Sequence, residues 1–209
     1  MNKIYKPFIK RILTSTLPVY FLLLAHCGNG SGSSDNEFSQ QLIGSWESDC
    51  VINKTINQEK EIRTWRFMPS QLFEFVSIQY ADNDCTSGNE SIVLAGKGSY
   101  SLSQPADVGE TTRKVGFSYS EFSAIVKDSE TASNLSAMEF CNISSWIVDE
   151  AVDLYGKECA DGEVFPGQNK TIQDLIDVDQ NRLWLGEKDN VFDPQTPSAI
   201  DAVNVYLRK

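Results

Sequence analysis

The chain has 209 residues, with 18 lysines and arginines against 29 aspartates and glutamates, a net charge of −11, 41% hydrophobic residues and one histidine. An acidic surface of this kind repels nucleic acid and anionic lipid headgroups, so no nucleic-acid partner is expected. The lone histidine, His26, lies in an N-terminal apolar run, and nothing after it can supply a Ser-His-Asp or Cys-His catalytic arrangement, histidine-ligated zinc or a histidine-held haem. The expectation is a non-enzymatic protein with no catalytic residues, metal ligands or cofactor.

Lys3, Lys6, Lys10 and Arg11 form a positive leader, followed by an apolar run from Ile12 to His26 that is too short for an ordinary transmembrane helix. Cys27 ends that run. Gly28, Asn29, Gly30, Ser31, Gly32, Ser33 and Ser34 follow it, with no apolar side chain to bury. Leader, short apolar stretch and cysteine together resemble a bacterial lipoprotein signal, with Leu24 and Ala25 fitting the pattern and His26 departing from the small residue usual before the cysteine. That resemblance implies a signal peptide over 1–26, a diacylglycerol thioether on Cys27, a flexible tether over 27–37 and a folded domain over 38–209. Gly28 after the cysteine resembles the outer-membrane sorting pattern, so the expected location is exported and membrane-anchored, at the bacterial outer membrane or cell surface. Loss of residues 1–26 removes four basic residues and no acidic one, taking the net charge from −11 to −15. Attachment would therefore rest on acyl chains and not on a basic patch.

Strand signals dominate the rest. Arg63, Trp65 and Phe67 alternate with Ile62, Thr64 and Arg66, Pro69-Ser70 interrupts, and Leu72 to Tyr80 resumes as the second arm of a hairpin. Short strands are expected at 92–94, 98–102, 115–119 and 122–126, then a hairpin of 172–178 and 183–185 about Asp179-Gln180-Asn181, and a closing strand at 203–207. Eight to ten short strands in about 170 residues suggest a mostly β, antiparallel fold, either a closed β-barrel or a β-sandwich.

With Cys27 acylated, Cys50, Cys85, Cys141 and Cys159 remain, an even number in an exported chain, and two disulfides follow. Three connectivities are open. Pairing Cys50 with Cys85 and Cys141 with Cys159 is favoured, the second bracketing an expected helix: Ser144 or Ser145 can cap it, Trp146, Ile147, Ala151, Leu154 and Tyr155 recur at helical spacing, and Gly156-Lys157 reads as a stop.

Gln41 to Cys50 contains Gly44-Ser45-Trp46, and with Asp82-Asn83-Asp84-Cys85 and Asn181 to Gly186 it resembles, in order, uncharacterised bacterial lipoproteins carrying a lipocalin-like domain. The resemblance implies a barrel with Trp46 across its closed end, packed by an arginine that either Arg182 or Arg208 would supply. Trp46, Trp65, Phe75, Tyr100, Phe117 and Trp184 are then candidates for an apolar ligand cavity or for core. Binding of a small hydrophobic ligand is the leading expectation. Its rivals are a protein-interaction module with an envelope partner, and a hydrolase using a carboxylate pair such as Asp174 with Asp177 or Asp149 with Glu150. Asp177 to Asn181 has the opening spacing of a calcium loop but places Arg182 and Lys188 where glycine and glutamate are needed, so it reads as a turn.

Overall fold

The computed structural model describes residues 33–209 apart from 53–59, 108, 110, 160–164 and 189; the signal, Cys27 and the first part of the tether lie outside the described residues. A first helix, α1 (Ser33–Leu42), leads into ten strands: β1 (Gly44–Ser48), β2 (Val51–Ile52), β3 (Lys60–Met68), β4 (Leu72–Tyr80), β5 (Glu90–Pro105), β6 (Arg113–Val126), β7 (Ala151–Asp153), β8 (Thr171–Asp179), β9 (Arg182–Gly186) and β10 (Ile200–Arg208), with a second helix, α2 (Ser129–Ala137), between β6 and β7. Ser33 to Glu37, read from the sequence as tether, are the start of α1.

All strand pairings are antiparallel, in the order β1-β10-β9-β8-β6-β5-β4-β3, and β1 pairs again with β3, so eight strands close into a barrel. This is the lipocalin-like barrel the sequence predicts. Each half-buried strand buries every second residue, as a wrapped sheet requires. In β4, Phe73, Phe75, Ser77 and Gln79 point inward, and Leu72, Glu74, Val76 and Ile78 between them are partly or fully exposed.

One irregularity lies where the sequence reading split two strands. β5 and β6 are each continuous. Gly98 pairs with Tyr119 but Lys97 pairs with Glu121, so Ser120 is an extra residue, a β-bulge. The bulge shifts the inward set from 113, 115, 117 and 119 to 122, 124 and 126, keeping apolar side chains inside on both halves. Glycine is required at position 98, because a Cβ there would lie 2.1 Å from the Ser118 carbonyl oxygen.

The disulfides are Cys50–Cys85 and Cys141–Cys159, the favoured connectivity. The helix expected between Cys141 and Cys159 is not there. A 3-10 turn spans Phe140–Asn142, Asp149 takes a positive φ of 64°, and residues 151–153 form β7. The cause is an unused strand edge. β8 pairs only with the first half of β6, leaving the amides and carbonyls near 123–126 free, and β7, the Asp149 N–H to Val126 and the Leu154 N–H to Phe122 take them up. The helix of this connection is instead α2, capped by Asp128, whose side chain accepts from the Thr131 N–H at 2.8 Å.

Candidate functional site

One end of the barrel is plugged. Trp46 is fully buried and donates from Nε1 to the Leu42 carbonyl at 2.8 Å, tying the barrel to the last turn of α1. Arg208 lies over its indole at 4.3 Å and donates to the carbonyls of Ile43 at 3.0 Å, Gln180 at 3.1 Å and Gln41. Of the two arginines the sequence left open, Arg208 fills the place; Arg182 caps Trp184 at 5.0 Å instead. Trp184 points outward and is part-exposed, because Leu183 and Leu185 on either side take the inward positions, so it is neither core nor cavity wall.

The middle is filled by rings. Trp65 meets Phe75 at 4.7 Å and Phe117 at 4.8 Å, Phe73 meets Phe117 at 5.1 Å, and Phe67 meets Tyr100 at 5.2 Å. These are contact distances for aromatic pairs, so Trp65, Phe75, Tyr100 and Phe117 are core. Phe192, from the β9–β10 connection, extends the cluster onto Phe75, Tyr119 and Phe122.

Beyond Trp65, away from the plug, the inward positions turn polar. Glu61 is 2% exposed, pairs with Arg63 and accepts from Ser77 Oγ; the Arg63 backbone N–H donates to Ser48 Oγ at 2.9 Å. Across the lumen, Asp174 is 5% exposed and accepts at Oδ1 from the N–H groups of Leu175 at 2.7 Å and Gly186 at 2.9 Å. Lys188 Nζ sits 3.9 Å from Asp174 and donates to the carbonyls of Gln173 and Asp193. Burial pushes the Asp174 carboxyl up to about 6, against the opposing pull of Lys188, the two backbone N–H groups and Arg63. Burial likewise lowers the Lys188 ammonium, against Asp174 and Asp193.

These residues wall a recess with a free volume of about 30 Å³, bounded by Arg63, Trp65, Asp174, Lys188 and Tyr206, with Ile52, Asp201 and Asn204 at its rim. Two of the wall residues, Arg63 and Trp65, turn their buried side-chain donors to the phenol oxygen of the buried Tyr206. A space of this size holds roughly two water molecules, far below the 300–1,000 Å³ of pockets for drug-sized ligands.

The carboxylate pairs do not converge. Asp174 and Asp177 are three apart on β8 and face opposite sides; Asp177 accepts from Thr111 at 3.0 Å and Thr112 at 3.3 Å. Asp149 pairs with Lys127. Asp177 to Asn181 form the β8–β9 turn, closed by an Asp179–Arg182 ion pair of 2.8 Å.

The recess was legible in part. Arg63 shares its strand face with Trp65 and Phe67, and Ser77 and Gln79 share theirs with Phe73 and Phe75, so charged and polar residues on an apolar face marked it. Asp174, Lys188 and Asp201 carried no such mark, since only closure of the barrel brings them opposite β3. Compared with known proteins, the chain matches no family model and no curated protein.

Proposed function

We propose that this chain is an exported lipoprotein, anchored through Cys27 at the bacterial outer membrane or cell surface, whose lipocalin-like domain works by binding a small ligand and carries out no chemistry. The N-terminal sequence supports the anchor, and the polar recess carries the binding reading. Aromatic rings occupy the stretch where a long apolar ligand would lie, and the free space beyond them has charged walls. Both features favour a small polar ligand over the hydrophobic one that aromatic content alone suggests. A protein partner is the second reading, favoured by Met138 and Ile147, which stand 61% and 50% exposed on the disulfide-bonded excursion between β6 and β8.

Two measurements test these readings. Expression in a bacterial host with labelled palmitate is expected to label the protein and to lose the label in Cys27→Ser; an unlabelled wild-type chain would refute the anchor. Native mass spectrometry of the full chain released from detergent is expected to show a small polar adduct that denaturation removes. A clean apo mass after incubation with envelope extract would refute ligand binding and move the assignment to the partner reading.

A further inference from the structure

The two ends of the barrel differ in what the chain attaches to them. At the sealed end lie α1, the β3–β4 turn at Pro69–Gln71, the β8–β9 turn and Lys209, whose N–H donates to the Ser45 carbonyl at 3.0 Å. The opposite end carries the Cys50–Cys85 disulfide, the β4–β5 loop and α2, which begins three residues past the end of β6. The helix α1 lies across the sealed end. It meets β6 at Phe38, 7% exposed under Arg113 at 5.2 Å, and β1 at Leu42, which accepts from Trp46; these two strands stand four places apart in the ring of eight.

Chain length decides which end can approach a membrane. Cys27 is six residues before Ser33, where α1 begins, and six backbone steps span at most about 22 Å in any conformation. An acyl chain on Cys27 therefore keeps the bilayer surface near the sealed end. β6 runs 14 residues from Arg113, beside Phe38, to Val126. At about 3.3 Å per residue and a tilt of about 40° it rises roughly 30 Å along the barrel axis, with α2 following. For the far end to rest on lipid, the tether would have to span more than its full extension.

Charge acts in the same direction. At and beyond α2, Glu130, Glu139, Glu150 and Glu158 are exposed, and Lys127 is already paired with Asp149. The sealed end is mixed in sign, with Arg182 on Asp179, Lys209 on Glu47 and Lys114 exposed. Anionic headgroups repel the first surface more strongly than the second.

We propose that the sealed end of the barrel is its membrane-facing surface, set against lipid headgroups by the short tether from Cys27, so that the far end is presented away from the bilayer. This rests on the anchor reading above and adds an orientation to it.

The test reconstitutes the acylated chain into vesicles of phosphatidylethanolamine and phosphatidylglycerol that carry an acceptor dye on their headgroups, and reads energy transfer from a donor dye on an introduced cysteine. Gln71→Cys in the β3–β4 turn and Glu130→Cys in the first turn of α2 place the donor on exposed positions at the two ends. Transfer is expected to be severalfold stronger from position 71. Lys209→Cys and Ser87→Cys make the same comparison should either of the first pair fail to fold. Equal transfer from the two ends, or stronger transfer from the far one, would overturn the orientation while a vesicle-bound chain leaves the anchor intact. A chain that does not float with the vesicles overturns orientation and anchor together.

Discussion

Asp174 sets a pH dependence whose sign follows from its surroundings. Its carboxyl is raised from 3.8 to about 6 in the folded protein, so the folded state binds the proton more tightly than the unfolded one. The resulting stabilisation is complete below pH 4 and is lost as pH rises through 6, about 3 kcal/mol across the window. Asp174→Asn keeps the backbone hydrogen bonds and removes the titration. Denaturant unfolding of wild type and variant at pH 4 and pH 7 is therefore expected to show the wild type losing about 3 kcal/mol relative to the variant; a constant difference would mean that the carboxyl does not titrate there. Arg208 makes a second prediction at this scale. It joins the ring over Trp46 to carbonyls from α1's end and the β8–β9 turn, so Arg208→Ala is expected to cost about 2–4 kcal/mol, with Arg208→Lys recovering little because a lysine cannot spread donors across the same three carbonyls. Thermal unfolding of the two variants checks it.

Among the elements, β5 and β6 depend on backbone approach. A Cβ at Gly96 would stand 2.6 Å from the Tyr119 ring and 2.8 Å from that of Phe122, so Gly96→Ala displaces two core aromatics and is expected to cost about 1–3 kcal/mol, read from its unfolding midpoint. The excursion between β6 and β8 behaves differently. Its disulfide closes a loop with a sequence separation of 18, so replacing Cys141 and Cys159 by serine is expected to cost about 3 kcal/mol, and hydrogen exchange should rise at β7 before it rises at β6. This excursion is also where sequence and structure part. Trp146 and Leu154 are buried, as their apolar character suggests, yet the residues between them are strand and turn. Helical spacing describes side chains, whereas the vacant half of the β6 edge offered hydrogen bonds to the backbone, and no local pattern records a vacancy created by a short strand elsewhere. The β3–β4 and β8–β9 hairpins were legible because alternation and turn residues are both local.

For the whole molecule, closure separates two chemistries that alternate along the same strands. Towards α1 the lumen is sealed by Trp46, Arg208 and stacked rings; away from it the same inward register carries Glu61, Arg63, Ser77 and Asp174. The barrel and its sealing tryptophan could be read from Gly44-Ser45-Trp46 and the strand count. Only the β3 and β4 wall of the recess could be read, from Arg63, Ser77 and Gln79 on apolar faces; its opposition to Asp174 could not, because β3 and β8 are more than a hundred residues apart in sequence. A consequence follows from the ring itself. Each of its eight strands has a neighbour on both sides over at least part of its length, and the strands paired on one side alone are β2, with two residues, and β7, with three. Within the ring, β10 is paired with β1 only at Tyr206, Leu207 and Arg208, so its Ile200–Val205 stretch is open on that side. That stretch, with Val203 87% exposed, is where a foreign strand would add to the ring first, and its Asp201 is the charge that opposes such an addition.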